Sequence, residues 1–250
     1  MPAVRSIITF YFFAFLISWL GFLPLLYGAS QWWQICLILP GYGPAAAVTI
    51  TYWLFYRQRY SPPFALYAAF KARVHLHWYI LALLIPPALF VATRLWRFTG
   101  PYDMPPSTTS EILSTTAMSV FANPWEEIAW RGFAQTRLQK CLGIFGAALV
   151  VGVLWGLWHT PLFLWHGSPM YKLPHVSWFL DIVSESCILA WLYNRASHNL
   201  VIASLFHISF NVSAAIIGVS SYGTLAVVNT LVAAFLFIYL RPRELGEDYT

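Results

Sequence analysis

Hydrophobic residues fall into long, nearly unbroken runs along this chain, separated by short polar segments. A membrane-spanning helix needs about 20 mostly apolar residues, and about eight runs approach or exceed that length. The alternation of apolar and polar positions that is typical of strands is absent, and lipid cannot satisfy open strand edges. We therefore predict an all-α fold, a polytopic transmembrane bundle of about eight helices. The predicted spans are residues 7–27, 33–56, 76–96, 112–138, 144–165, 177–194, 200–218 and 222–240.

The composition agrees with a membrane protein. Hydrophobic residues make up 59% of the 250 and charged residues only 9%, against about 25% charged in typical soluble domains. The three cysteines are isolated, so the sequence predicts neither a disulfide framework nor a thiolate zinc site. No internal repeat or long linker interrupts the chain. Residues 1–250 are therefore interpreted as one integral membrane domain, with a motif-bearing core at about 112–218.

The basic residues predict the orientation, because short cytoplasmic loops collect Lys and Arg. An inside N-terminus puts ten of the 14 basic residues on the inner side and three on the outer side, with Arg131 inside a span. Both termini are thus expected in the cytoplasm, and the Pro-rich loop 97–111 outside. The net charge of +5 then reflects topology and attraction to anionic lipid headgroups, so no nucleic-acid partner is predicted. Small size and short loops suit a prokaryotic inner membrane. The inner residues are Arg5, Arg57, Arg59, Lys71, Arg73, Arg137, Lys140, Arg195, Arg241 and Arg243; the outer ones are Arg94, Arg97 and Lys172.

Several polar residues lie inside the predicted spans rather than at their ends. An ionisable group at membrane depth costs several kcal/mol unless it is paired or hydrated, so each is a functional candidate. The set consists of Glu126, Glu127, Arg131, His159, Asp181, Glu185, His207 and Asn211.

Two adjacent glutamates in the stretch "NPWEEIAWRGFAQTRL" have different expected partners. Glu127 and Arg131 are four residues apart, so they share a helix face and can neutralise one another. Glu126 is rotated by about 100° from Glu127 and is left without that cation. Glu126 can also be interpreted as part of a helix cap, with Asn123 at the N-cap position and Pro124 at the first helical position. The two interpretations are compatible.

Histidines on two further spans complete a hydrolytic set. His207 and Asn211 are four residues apart and face the same direction, whereas His159 follows Trp155 by four. A buried carboxylate can take a proton from water, and an imidazole can orient that water. The His207 and Asn211 pair can donate hydrogen bonds to an oxyanion. No serine or cysteine sits in a nucleophile-elbow motif, which favours attack by water over an acyl-enzyme.

Three motifs, "EEIAWR", "WGLWH" and "HISFN", lie in different predicted spans, in this order. Together they resemble the motifs of the CPBP (Abi) family of intramembrane proteases, related to the type II CAAX prenyl proteases. The resemblance covers roughly residues 123 to 211. The family's second motif commonly begins with Phe, whereas here it begins with Trp155, which keeps an aromatic wall but changes the shape of the pocket.

The resemblance implies a role for each motif residue. Glu126 would be the catalytic base together with His159, while His207 and Asn211 would bind the oxyanion. Glu127 and Arg131 would support the site, and we expect Trp130 and Trp155 to line the substrate pocket. The expected activity is an intramembrane glutamate endopeptidase, without metal or cofactor, that acts on a membrane-associated and possibly prenylated (CAAX-type) peptide. Its expected partners are the lipid bilayer and a lipidated peptide.

Other functions fit parts of this pattern. A metal-dependent membrane peptidase could use the same Glu and His side chains, although the H-E-x-x-H motif is missing. A proton-coupled transporter also places acids and histidines in spans, but no inverted repeat is visible. A non-catalytic scaffold or bacteriocin self-immunity protein of the same family would need the buried charges only for packing. Asp181 and Glu185, four residues apart, are interpreted as polar packing or as a cation or proton site.

Overall fold

A computed structural model describes residues 2–28, 33–56, 73–96 and 104–240 of the chain. These residues are almost entirely helical and contain nine α-helices and one π-helix, so the predicted all-α class is confirmed for this part of the chain. The α-helices are α1 Pro2–Leu26, α2 Trp33–Tyr56, α3 Leu76–Leu95, α4 Thr109–Glu127, α5 Thr136–Trp158, α6 Thr160–Leu164, α7 His175–Arg195, α8 Leu200–Ile217 and α9 Tyr222–Tyr239, and the π-helix is Ile128–Gln135.

Six helical stretches among the described residues are long and apolar enough to cross a membrane, which makes the protein a multi-pass membrane protein. One of them, Thr109–Leu164, has 56 residues and contains the fourth predicted span and all but the last residue of the fifth. At about 1.5 Å per residue it exceeds the roughly 30 Å hydrocarbon layer more than twofold. Gly143 breaks it with a φ of 68° and a ψ of 173°.

The total of about eight spans and the orientation stay predictions. The basic residues at positions 57, 59, 71, 97, 241 and 243 lie outside the described residues.

Helix α4 begins much earlier than the capping interpretation of Glu126 required. The Thr108 side chain accepts a hydrogen bond from the Glu111 backbone N–H, and the Glu111 side chain accepts one from the Thr108 backbone. This capping box satisfies the exposed helix start. Asn123 and Pro124 therefore lie inside α4, and the interpretation of Asn123 as an N-cap is wrong.

The loop predicted at 97–111 is described from residue 104 onwards. Its described part runs along the end of α8, where Met104 and Val219 form an antiparallel bridge. The Arg94 guanidinium donates hydrogen bonds to the Ile217 carbonyl at 2.9 Å and to the Met104 carbonyl at 3.1 Å. The loop is thereby joined to α3 and α8.

Two apolar clusters flank the π-helix. One, which includes Phe90, Ile188 and Phe206, lies among α3, α7, α8 and α9. The other lies among α1, α2, the π-helix and α5 and includes Phe10 and Trp130. The π-helix therefore runs through the interior, between two packed groups of helices.

Helices α5 and α7 approach closely because glycines form their contact surface. A Cβ atom on Gly152 would lie 2.9 Å from the Ser186 Cβ and 3.0 Å from the Val183 Cα. At Gly156 it would lie 2.8 Å from the Phe179 ring. Small residues of this kind let helix backbones approach in membranes. The close approach places the polar face of α7 beside the second predicted motif on α5.

Substituting Gly152→Ala should destabilise the fold, because the new methyl group meets the α7 backbone. Overpacking of this kind costs about 1–3 kcal/mol in the free energy of unfolding. Gly223→Ala adds the same methyl group where the nearest atom is 3.6 Å away, and it should be neutral or stabilising because Ala favours helices. Thermal unfolding of both variants in detergent tests this, and equal stability of the two would contradict it.

Candidate active site

The π-helix follows directly on Glu126 and Glu127, the last residues of α4. Its i→i+5 hydrogen bonds make it wider than an α-helix, and π-helices occur frequently at functional sites. Residues 126–131 and 133–135 are all buried. The π-helix is therefore surrounded by other helices on all sides. Glu126 and Glu127, just before it, contact different parts of these surroundings.

Glu126 has one carboxylate oxygen held by two tryptophans. Its Oε2 accepts hydrogen bonds from the indole N–H of Trp155 at 3.1 Å and of Trp130 at 3.3 Å. Neither indole is more than 1% exposed, whereas Glu126 retains 6% exposure. Among the described residues no hydrogen bond reaches its Oε1. The carboxylate is thus fixed in orientation with one oxygen available to a water or a substrate.

Glu127 joins the π-helix to α8. Its Oε1 accepts a hydrogen bond from His207 Nδ1 at 2.9 Å, and its Oε2 lies 3.5 Å from Arg131 Nε. The ion pair expected from the four-residue spacing is therefore present, although it lacks the geometry of a hydrogen bond. All three side chains are buried, so Glu127 neutralises positive charge that lipid could not solvate.

His159 lies at the junction of α5 and α6, and its tautomer follows from its hydrogen bond. Nδ1 lies 2.8 Å from the Trp155 carbonyl oxygen. Because a carbonyl can only accept, Nδ1 carries the proton, which in the neutral ring leaves Nε2 as the acceptor nitrogen. The ring contacts Trp158 at 4.7 Å and Trp178 at 5.3 Å between centroids. These contacts hold the imidazole plane in place.

Trp155 is the side chain that brings the predicted site residues together. Besides its bond to Glu126, its ring lies edge-on to His207 at 5.0 Å and to His159 at 5.8 Å between centroids. The guanidinium carbon of Arg131 lies 5.0 Å from its ring centroid. Trp130 and Trp155 were expected to line the substrate pocket. Both are buried against Glu126, and their part in substrate binding stays a prediction.

Asn211 lies on α8 one turn beyond His207 and is half-buried. Its carboxamide makes no hydrogen bond to Glu126 or His159 within the described part of the chain. The structure thus brings seven of the eight predicted site residues into one connected group. Asn211 stands beside that group through its position on α8.

A chain of buried amides fixes the start of α8 relative to the π-helix. Gln135 donates to Gln139, which donates to the Asn194 Oδ1, each within 3.3 Å. Burial lowers the pKa of His198 in the turn between α7 and α8, and its Nε2 lies 3.0 Å from the same Asn194 oxygen. The Asn199 side chain then caps α8. This network sets the position from which α8 carries His207 to Glu127.

Sequence reasoning missed two features of this site. Trp178 on α7 contacts the His159 ring, and Trp155 contacts four of the polar groups. A tryptophan at a helical position gives no signal of its own, because buried aromatic residues are common in any core.

Within the described residues no group of three or more His, Cys, Asp or Glu side chains is arranged to hold a metal ion.

The fold and site define an integral membrane protein whose buried polar centre combines a positioned glutamate with two histidines. Residues 107–213 match the family described as type II CAAX prenyl endopeptidase Rce1-like, a range that contains all three motifs. The chain is 24% identical over 178 residues to the CAAX prenyl protease 2 of Methanococcus maripaludis, covering 64% of each chain. Both matches agree with the resemblance of the three motifs to the CPBP family, which is related to the type II CAAX prenyl proteases. The match spans less than two thirds of that relative's length.

Substituting Glu127→Gln should destabilise the protein by leaving the Arg131 charge buried without a counter-charge. Breaking a buried pair in this way costs about 3–5 kcal/mol. The amide oxygen of the glutamine can still accept the hydrogen bond from His207, so the loss of stability measures the effect of the missing charge. Adding Arg131→Met should recover most of the stability, because both charges are then gone. Chemical unfolding in detergent measures both variants, and a double variant as unstable as Glu127→Gln would contradict this account.

Proposed function

We propose that this chain is an intramembrane endopeptidase in which Glu126 and His159 activate a water molecule to hydrolyse a membrane-associated peptide. The observation that supports this most directly is the Glu126 carboxylate. Two indole N–H groups hold its Oε2, and its Oε1 is left for a water. A general base needs such a fixed orientation within hydrogen-bonding reach of the proton that it removes.

In the first step, Glu126 takes a proton from water while the oxygen attacks the scissile carbonyl carbon. His159 accepts the second O–H of that water at Nε2, since its Nδ1 hydrogen is used by the Trp155 carbonyl. A tetrahedral intermediate forms with negative charge on the former carbonyl oxygen. Glu126 then gives the proton to the leaving amine nitrogen as the C–N bond breaks, so the enzyme returns to its initial state.

His207 and Asn211 stabilise the oxyanion in this mechanism. Because His207 Nδ1 donates to Glu127, its Nε2 can donate only if the ring carries both protons. Asn211 supplies a second donor from the following helical turn. Donors fixed in advance in a site of low dielectric act strongly on developing charge.

The substrate is proposed to be a lipidated peptide, of the CAAX type in the name of the related protease. An apolar groove of about 550 Å³ lies along α1 and is lined by Tyr11, Phe12, Phe15, Leu16, Trp19, Leu20, Leu23 and Leu154. Tyr11 stacks on Trp130, the donor to Glu126, with 6.2 Å between centroids. Trp19 donates to the Trp158 carbonyl, next to His159. The groove thus provides an apolar surface for a lipid chain beside the proposed catalytic groups.

The proposed setting is a prokaryotic inner membrane with both termini in the cytoplasm. Among the described residues, two basic residues of the predicted outer side, Arg94 and Lys172, stand against five of the predicted inner side, which are Arg5, Arg73, Arg137, Lys140 and Arg195. The complete distribution of Lys and Arg along the sequence favours a cytoplasmic N-terminus.

Replacing the proposed base should slow cleavage strongly without loss of fold. Glu126→Gln keeps the shape and an oxygen for the two indoles, but it removes the basicity, and we expect kcat to fall by about 10²–10⁴. The assay follows hydrolysis of a prenylated CAAX peptide by purified protein in detergent. Glu111→Gln makes the same chemical change at the exposed start of α4 and should retain activity. Undiminished cleavage by Glu126→Gln would refute the assignment.

Asn211→Ala should lower kcat by about 10²–10³ while KM changes little, because the lost hydrogen bond forms in the transition state. Steady-state kinetics on the same peptide measures the two constants separately. Ser209→Ala is the matched control, since Ser209 lies on α8 and donates to the Leu83 carbonyl. A variant with raised KM and normal kcat would place Asn211 in substrate binding instead.

A further inference from the structure

A second polar cluster lies between α7 and α9. Asp181 and Glu185 on α7 are 3% and 4% exposed, and Asn229 on α9 is fully buried. The two acids are one helical turn apart on the same face of α7. None of these residues belongs to the three motifs or to the proposed mechanism. Their presence in apolar helices therefore needs its own explanation.

The cluster spans the contact between the two helices. Asn229 Nδ2 donates to Asp181 Oδ1 at 2.7 Å. At the same level the hydroxyl oxygens of Ser184 and Thr230 lie 2.8 Å apart. Side-chain oxygens from α7 thus face side-chain oxygens from α9, and Asp181 is fixed in place by the Asn229 amide.

Two buried oxygen atoms in this cluster have no donor. Glu185 Oε1 and Asn229 Oδ1 are both inaccessible and accept no hydrogen bond from the described residues. In this arrangement the Asn229 nitrogen donates to Asp181, and the Asn229 oxygen is left without a donor. An unsatisfied acceptor in an apolar interior costs free energy that a bound positive partner would remove. The uncharged Asn229 side chain points to such a partner independently of the acids.

Buried acids also outnumber buried cations among the described residues. The buried carboxyl groups of the described residues are Glu126, Glu127, Asp181 and Glu185, against the single permanent charge of Arg131. Counting His207 as an imidazolium still leaves four acids against two cations. Glu185 interacts electrostatically with Arg131, but also with the other three acids. The Asp181 and Glu185 pair must therefore either hold protons or bind a cation.

We infer that Asp181, Glu185 and Asn229 bind a dehydrated monovalent cation, with Na⁺ as the ion to test. The available ligands are all oxygens, which hard cations prefer over softer metals. Ca²⁺ takes 6–8 oxygen ligands, more than two carboxylates and one amide provide. A single positive charge would satisfy both unpaired acceptors and offset part of the excess of acids. The ion would join α7 to α9.

Equilibrium binding of radioactive Na⁺ to the purified full-length protein in detergent tests this directly. We expect saturable binding that choline does not compete for, at one ion per chain. Asp181→Asn, Glu185→Gln and Asn229→Ala should each weaken it at least about tenfold, a change equivalent to one lost ligand. Glu111→Gln is the control, because it removes an exposed acid outside the cluster, and its binding should equal that of the wild type.

Thermal unfolding in NaCl and in choline chloride at equal ionic strength provides a second measurement. Na⁺ should raise the Tm of the wild type by about 3 °C or more in a saturable way, and of the three variants by less. The inference fails if the folded wild type binds no Na⁺, or if variants that elute as a single species bind it as well as the wild type. It also fails if acidification stabilises the protein while Na⁺ has no effect, since a proton would then occupy the cluster. Neither measurement requires a peptide substrate, so each outcome is independent of the endopeptidase activity.

Discussion

The interaction on which this structure depends most is the ion pair of Glu127 with Arg131, extended to His207. Lipid gives an ionised side chain no solvation, so each buried charge must find its partner inside the bundle. Glu127 contacts both the π-helix and α8. Through that one carboxylate, the requirement for charge neutrality also fixes where the third motif lies relative to the first.

Tryptophans perform the second part of this positioning. Their indole N–H groups provide hydrogen bonds while their rings remain compatible with an apolar surrounding. Trp130 and Trp155 direct one Glu126 oxygen without introducing a further charge. The two neighbouring glutamates therefore have different environments. Glu127 is neutralised by the Arg131 cation, whereas Glu126 is oriented by the neutral indole donors. This difference is what allows two adjacent acids in one helix to have different chemical roles.

The sequence predicted the features that depend on local spacing. The four-residue interval predicted the Glu127 and Arg131 pair, and the apolar runs located most helices to within a few residues, as for α8 and α9. The sequence could not predict that α4 begins at Thr109. Residues 105–111 are polar and predict a loop, and only the structure shows that Thr108 caps a helix there. The π-helix and the contacts of Trp155 depend on packing between helices distant in sequence. The contact of His207 with Glu127 likewise joins residues 80 positions apart, beyond what periodicity can show.

The π-helix also determines how this segment tolerates changes of length. A π turn holds one residue more than an α turn. Deleting one residue between positions 131 and 136 would therefore convert a π turn into an α turn, and Trp155 and His159 would keep roughly the direction in which they face. The same deletion in an ordinary α-helix would rotate every later side chain by about 100°. The segment between the first and second motifs therefore tolerates the loss of one residue better than the helices on either side of it.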